Sequence, residues 1–486
     1  MRTLAARHGF DAQGAVRDLA ITIADGRIAA LEAAAAPGAA AAPGAAAVSE
    51  DTVVLPALAN AHDHARPLRP SSVGGFNKPL ETWLHRLALL APVDPYLATL
   101  APLARAALGG QGAVMIHQVR PTGLTDYPTE AEAMARAARD VGVRIALGIG
   151  LRDRNPLVYG DHAAVLDALD PATRAEIESR FLSPMAPLAE QLARVEATAD
   201  AVGGPMVDVQ YAPNGPQWGS DGLWEAVAEA SARTGRRVTT HLFETRYQRD
   251  WADRTYPGGL VRRWREIGLL SPRLTLAHCV HARPDELEMI AEAGCVIAVN
   301  TSSNLALRSG IAPVAEMVRR GCRVALGLDG QAFDEDDDAL RELRLLWSLH
   351  GGWGFDAEIA PRRALAMALE TGRIAVGAPE GGRIAVGAPA DLLVLDRAAL
   401  DEDALAEVDP LDLLFARATK RHVRELIVAG RTVVRDGVVL GVDLDGAHRA
   451  LRDACRAAMP ARAGLWRAMP GFEAAVAGYY RRLGCC

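Results

Sequence analysis

"LTLAHCVHARPDELEMIAEAGCVIAVNT", residues 274–301, contains one complete structural unit. "LTLAHCV" (274–280) is a nearly continuous apolar run, as a strand covered on both faces must be. Residues 284–293 are helix-compatible, and "CVIAVNT" (295–301) is apolar again. Two strands joined through a helix run parallel, because a tight hairpin cannot connect them. The same alternation extends outward in both directions. "TVVLPAL" (52–58), "AVMIHQV" (113–119), "VRIALGIGL" (143–151), "VDVQYAP" (207–213), "RVTTHLF" (237–243) and "RVALGLDG" (323–330) read as further strands. Helix-compatible stretches such as 94–109, 130–141 and 221–234 separate them. Eight strands with eight helical intervals predict an α/β chain built as a (β/α)8 TIM-like barrel. A doubly wound open sheet is the rival, but no G-x-G-x-x-G follows the first strand.

The two ends of the chain have a different character. "RDLAITIADGRIAAL" (17–31) alternates around a "DG" turn, and β-like patterns return in "ADLLVLD" (390–396) and at 423–443. This predicts a small β-sandwich domain formed from the N- and C-terminal segments. The expected division is 1–50 and 371–445 for that domain, 51–370 for the barrel, and 446–486 for a C-terminal helical tail. The Ala/Pro/Gly tract "LEAAAAPGAAAAPGAAAVSE" reads as a loop. "GRIAVGAP" occurs twice, at 372–379 and 382–389, as a local duplication with no assigned function.

Half of the 486 residues are hydrophobic, so a large core can be buried. A net charge of −7 without a basic block argues against a nucleic-acid partner. "MRTLAARHGFDAQGAV" lacks the apolar segment of a signal peptide, and no charge-free run of 18 apolar residues predicts a membrane helix. Cys279, Cys295, Cys322, Cys455, Cys485 and Cys486 form no C-x-x-C pair. They read as free thiols of a cytoplasmic protein, with the terminal pair inert.

In such a barrel, chemistry belongs at the C-terminal ends of the strands. Strand one is followed by His62 and His64, whose spacing puts both on one face with Asp63 turned away. Strand two carries His117 and strand four Gln210; strand five ends in His241 and Glu244, strand six in His278 and His281, and strand eight in Asp329. Two histidines, a third from strand five and a carboxylate from strand eight offer three nitrogens and one oxygen. With water, that is an open catalytic site for a borderline divalent ion. Taken singly, each residue has a plainer reading. Asp329 can open a "DG" turn, Glu244 can be a surface residue and His278 a hydrogen-bonded core histidine. The run Asp334 to Asp338 reads as a solvated loop or helix start. His117 and His281 fit behind the ligands or against a substrate. His8, His85, His162, His350, His422 and His448 lie outside strand ends and read as structural or solvent-facing.

"NAHDH", "THLFET", "LAHCVHARPDELEMIAEAG", "NTSSNLALRSGIAPVAEM", "ALGLDG" and "GAPADLLVLD" together resemble the amidohydrolase superfamily, in its mononuclear aminohydrolase branch. That branch contains cytosine, guanine, 8-oxoguanine and S-adenosylhomocysteine deaminases and s-triazine hydrolases. The resemblance spans about residues 17 to 440. It implies His62, His64, His241 and Asp329 as metal ligands, Glu244 as a proton-shuttling acid, and His278 beside the attacking water and the substrate. Asp329 is implied to assist in catalysis. Strand four, "VDVQYAP", has no lysine, which fits one metal rather than a bridged pair. The chain departs from the family at His281, where relatives often carry an aromatic, and in "MIHQVRP" on strand two.

The expected reaction is hydrolytic deamination of an amino-substituted N-heterocycle by the water of one divalent metal, zinc or else iron, with release of ammonia. The partner is a small-molecule substrate, with Trp83, Gln210 and His281 as substrate contacts and ordinary packing as the alternative role for Trp83. A homodimer or higher homo-oligomer is expected. The same site could instead open a cyclic amide or displace halide or alkylamine from a heterocycle. A non-catalytic barrel is the third reading, and the intact ligand set argues against it.

Overall fold

The apolar run expected to be the first barrel strand is shared between two sheets. The computed structural model of the chain describes residues 1–33, 49–119, 121–330 and 335–484. The chain begins with β1 (Arg2–Phe10), β2 (Ala15–Ala24), β3 (Arg27–Ala33) and β4 (Ser49–Pro56), and β5 (Leu58–Asn60) follows. The expectation of one strand over 52–58 is therefore corrected. Pro56 has no N–H for a ladder, and the Ala57 N–H donates to Asp391 O at 2.9 Å. The chain leaves one sheet and enters the other at that point.

The barrel comprises β5, β6 (Gln111–Gln118), β7 (Arg144–Leu151), β8 (Val207–Pro213), β9 (Val238–Leu242), β10 (Leu274–His278), β11 (Val296–Val299) and β12 (Arg323–Leu326). These eight pair in sequence order, each parallel to the next. Ala61 N donates to Leu326 O at 2.8 Å and Asp329 N to His62 O at 2.9 Å, which joins the last strand to the first. The expected (β/α)8 barrel is present.

Residues alternate between the two faces of each strand. Outward, Val114, Ile116, Ile145 and Leu147 share a core with Leu103, Ala107, Ala131 and Ala135 of the helices Pro95–Leu108 and Tyr127–Val141. Inward, small residues dominate. Ala59, Ala113, Met115 and Ala146 pack on Val376 and Ala378. The first copy of the repeat thus plugs the N-terminal mouth, beginning as the helical turn Gly372–Ala375. The second copy forms no helix or strand.

After a short hairpin, β13 (Gly352–Trp353) and β14 (Asp356–Ala357), come β15 (Leu392–Asp396), β16 (Val423–Val428), β17 (Arg431–Arg435) and β18 (Val438–Val439). They complete an eight-stranded mixed sheet in the order β18-β17-β16-β15-β4-β1-β2-β3, in which β1 and β4 are parallel. Both chain ends contribute, as expected. The β2–β3 turn places Asp25 (φ 50°) and Gly26 (φ 75°) in the left-handed region, the geometry that matches strand twist in tight hairpins. One face packs Leu19, Ile21, Val54, Leu392 and Ile427 together. Leu55, Leu393 and Leu426 on the other face join the barrel's outer core.

Two helices, Leu444–Ala458 and Ala463–Arg482, end the described chain. The last buries Leu465, Met469, Phe472, Val476 and Tyr480 along one side. Its Glu473 pairs with Arg86 Nε at 2.6 Å and Lys78 Nζ at 3.1 Å, on the segment after β5. The acidic run opens the helix Ala339–His350, one of its two expected roles, but it is not solvated. Asp336 pairs with Lys420 (2.7 Å), Asp337 pairs with Arg105 (2.8 Å), and Asp338 caps the helix through Arg341 N (3.2 Å). All three are buried by these partners, while Asp334, Cys485, Cys486 and most of the Ala/Pro/Gly tract lie outside the described residues. Cys279, Cys295 and Cys322 are buried free thiols. No described helix is long and apolar enough to cross a membrane.

Candidate active site

Asn60, the last residue of β5, organises the site backbone. Its Nδ2 donates to Asp63 Oδ2 (2.7 Å) and to Gln111 Oε1 (3.0 Å), and its Oδ1 accepts from Leu328 N (3.0 Å). One amide thus ties the ends of strands one and eight together. Asp63 also accepts from Ala65 N at 2.7 Å, so its side chain faces away from the cluster, as the alternation predicts. Ala65 (φ 45°), Phe243 (φ 50°), His278 (φ 74°) and Asp329 (φ 57°) all adopt left-handed backbone. Such residues cost on the order of 1–3 kcal/mol each and concentrate at functional sites. The turn at Phe243 lets His241 and Glu244 face the same space.

Four ligand atoms, from His62, His64, His241 and Asp329, lie within 4.8 Å of one another. Asp329 Oδ1 is 3.1 Å from His64 Nε2 and 3.4 Å from His62 Nε2, and His64 Nε2 is 3.3 Å from His241 Nε2. Separations like these are what ligand atoms adopt at about 2.0–2.1 Å from a common zinc-sized ion. The outer atoms are anchored. His64 Nδ1 bonds to His117 O (2.8 Å), His241 Nδ1 to Asn214 O (2.6 Å), and Ser303 Oγ donates to Asp329 Oδ2 (2.6 Å). Carbonyl partners on Nδ1 turn each Nε2 lone pair toward the centre. Both His62 nitrogens and Asp329 Oδ1 are buried without a hydrogen-bond partner. Buried polar atoms are rarely left so. The residues present fit a divalent cation.

The electrostatics agree. Burial lowers the pKa of His62 to about 4, outweighing the pull of Asp329. It also holds His241 and His117 well below the ordinary histidine value. Neutral imidazoles are the ligating form. Burial pushes Asp329 up, but the His62 and His64 rings outweigh it and hold the carboxyl well below the usual range. Glu244 is shifted the other way. Burial, then the charges of Asp329 and Glu81, raise it well above an ordinary glutamate. Its Oε1 has no partner and its Oε2 lies 3.6 Å from His278 Nε2. His278 Nδ1 is engaged by Asn304 Oδ1 at 2.8 Å, and Glu244, His278 and Asp329 form a second close group.

A cavity opens over these atoms, lined at its polar end by His64, His241, Glu244 and Asp329 and further out by Leu84, Leu87 and Phe181. Trp83 lines it too, with its Nε1 donating to Gly75 O (3.1 Å) and the Arg66 guanidinium 4.7 Å over its ring. Gln210 is a correction. It lies three residues before the end of β8, so it points into the barrel below the site, and its Nε2 donates to Asp208 (2.7 Å) and Ala375 O (2.9 Å). His281 is a second correction. Its Nε2 bonds to Ser309 O at 2.8 Å, and it does not line the cavity. His117 sits behind the ligands, 4.7 Å from the His241 ring. His85, read as structural or solvent-facing, is buried between Phe181 and Phe472 and lines the cavity wall. Arg66, Glu81, Tyr159, Gln217 and Tyr480 also reach the wall, and all five were missed. Arg66 alone carried a signal, its place two residues after His64.

Residues 53–433 match the sequence pattern of the amidohydrolase family. The chain is 31% identical over 445 residues to an 8-oxoguanine deaminase of Pseudomonas aeruginosa, covering 90% of this chain and 93% of that protein. It is 29% identical to a 5-methylthioadenosine/S-adenosylhomocysteine deaminase of Nitratidesulfovibrio vulgaris, covering 91% and 93%. Among solved structures, an adenosine deaminase from Xanthomonas campestris with bound zinc superposes with a TM-score of 0.76. It has 24% identity and covers 94% of this chain and 98% of that one, a likeness in fold.

Proposed function

The chain belongs to the amidohydrolase family, and we propose that within it this protein is a zinc-dependent deaminase that removes an amino group from an N-heterocycle as ammonia. The observation that carries the reading is the convergence of His62, His64, His241 and Asp329 beside an unpartnered Glu244 oxygen. The four ligands would hold the ion, which when bound supplies Lewis acidity and a nucleophile at neutral pH. The named deaminase relatives support the choice of leaving group.

The chain's own residues have distinct tasks. Glu244, with its raised pKa, is suited both to take a proton and to give one back near neutrality. It takes the proton of the attacking water and delivers it to a ring nitrogen. His278 Nε2 faces Glu244 and orients it, and Asn304 fixes which imidazole nitrogen does so. Asp329 keeps its charge through Ser303 and the rings of His62 and His64. Trp83 offers an aromatic wall to a planar substrate. The apolar outer lining excludes water and strengthens these interactions.

The domain division, with its first boundary moved from 50 to Pro56 where the chain leaves the terminal sheet and the others at 370 and 445, the cytoplasmic setting and a homo-oligomeric state complete the proposal; the buried free thiols support the setting. The test is a zinc-loaded preparation offered 8-oxoguanine, 5-methylthioadenosine, 5'-deoxyadenosine and a chloro-s-triazine. Ammonia from an aminopurine is the expected result. Chloride from the triazine without ammonia would move the protein to halide displacement. A gently purified protein that holds no stoichiometric metal would overturn both readings.

A further inference from the structure

Two hydrogen-bonding groups on the cavity wall take no part in the proton chemistry and have no partner beyond each other. Gln217 and Tyr159 are 2% and 4% exposed. Both line the cavity that contains Glu244 and Asp329. Gln217 Nε2 and Tyr159 Oη face each other and find no hydrogen-bond partner beyond this pair, which leaves the Tyr159 O–H and one Gln217 N–H as open donors. A buried donor without an acceptor is costly, and pairs of them on a cavity wall point to a ligand.

The backbone fixes which end of Gln217 faces the cavity. The Glu244 N–H can only donate, and its acceptor is Gln248 Oε1 at 3.0 Å. Gln248 Nε2 is therefore the outer atom, and it donates to Gln217 Oε1 at 2.8 Å. Flipping either amide would set donor against donor or acceptor against acceptor. The group of Gln217 that faces Tyr159 and the cavity is its NH2. Tyr159 stands beside that amide, and burial holds its hydroxyl well above the ordinary phenol value, so it stays protonated. The loop carrying Tyr159 is fastened from a distance. Its backbone N–H donates to Tyr480 Oη at 3.0 Å, and the two rings meet edge-on at 5.9 Å. Tyr480 lies on the C-terminal helix, outside the residues matched to the family.

We propose that Gln217 and Tyr159 form a donor pair that reads an oxo-bearing edge of the substrate ring, with Tyr480 as the residue that positions Tyr159. The preferred substrate is then an amino-heterocycle carrying a ring oxo group, in preference to an oxo-free ring such as adenine. The amino group rests on the deaminase reading; the donor pair does not. Neither side chain is a metal ligand or a member of the proton path.

The experiment is calorimetric titration of xanthine, a dioxopurine, and of adenine onto the zinc-loaded protein. Wild type binds xanthine more tightly. Gln217→Leu and Tyr159→Phe each weaken xanthine by about 10-fold and adenine by less than about 3-fold. Gln217→Glu keeps the bond from Gln248 and the packing but loses the donor, so it follows Gln217→Leu. Tyr480→Phe weakens xanthine by a smaller factor. Zinc content reports that each variant is folded. Equal losses for both purines, no loss, or no xanthine binding by wild type overturns the inference. If ammonia is released from no heterocycle while the xanthine losses hold, the deaminase reading falls and the donor pair stands. Ammonia release with indifferent xanthine affinity is the reverse.

Discussion

The two mouths of the barrel bury similar chemistry and treat it in opposite ways. At the N-terminal mouth Asp391 is fully buried, and both of its oxygens are used. Oδ2 accepts from Arg373 (2.6 Å) and Arg144 (2.9 Å), and Oδ1 accepts from Ala429 N (2.6 Å). At the C-terminal mouth Asp329 is equally enclosed, but its Oδ1 and both nitrogens of the neighbouring His62 have no partner. One end spends its polar groups on cohesion, and the other keeps valences open at the cost of left-handed backbone. Unsatisfied buried atoms occur at both ends, Arg373 Nε and Nη2 among them; what separates the working end is that its own are ligand atoms gathered within 4.8 Å of one another.

Substitutions at the two mouths should therefore fail differently. His241→Ala is expected to have the largest effect, with zinc content falling from about one per chain to near zero by elemental analysis and activity falling with it. Retention of stoichiometric zinc would remove His241 from the centre. Glu244→Gln should keep the metal and lose on the order of 10²–10⁴ in kcat; a near-normal rate would take Glu244 out of the proton path. Asp391→Ala, at the opposite mouth, should lower stability by about 3–5 kcal/mol in urea unfolding, because two arginines lose their buried counter-charge, while the folded fraction keeps its zinc.

The acid dependence of that last effect has a definite sign. Burial pushes the Asp391 carboxyl up, but Arg373 and Arg144 outweigh it and hold the pKa below the ordinary value. Its contribution is present above the unfolded value of about 3.9 and is lost as pH falls through the lower folded one. The gap between wild type and Asp391→Ala should narrow in that acid window.

The smallest expected difference lies between the two copies of "GRIAVGAP", the first plugging the N-terminal mouth and the second packed against the terminal sheet. Gly377 (φ 76°) and Gly387 (φ 84°) are equivalent positions, both left-handed. A Cβ on Gly377 would stand 2.6 Å from the Asp208 carboxylate, whereas one on Gly387 meets nothing within 4 Å. Alanine should cost about 1–2 kcal/mol of backbone strain at either position and measurably more at Gly377. Equal thermal shifts would show that the first copy is not a tight plug.

The barrel and its centre were readable because both depend on local pattern. Apolar runs mark parallel strands, and the i, i+2 spacing of His62 and His64 survives whatever the loops do. Reading by alternation also had limits. It showed that Gln210 points inward but not how deep, and depth separates a cavity residue from one beneath the site. It could not show that Pro56 divides one apolar run between two sheets, since either half alone looks like strand. His85, Tyr159, Gln217 and Tyr480 were invisible for a different reason. Their roles come from contacts between distant segments, and neither the loop after β7 nor the C-terminal helix announces its partner. The burial of the acidic run was illegible for the same reason, as Arg105 and Lys420 that bury it lie far away in the chain.

The hydrogen bond from Tyr159 to Tyr480 spans 321 residues of sequence, and this has a bearing on biosynthesis. A chain made from its N-terminus, folding as it emerges, has all four centre ligands once Asp329 is out. The wall that holds Tyr159 arrives only with the final helix. The residues proposed to hold the ion are thus synthesised well before the helix that completes the wall of the substrate chamber, so the two halves of the site enter the chain at separate moments.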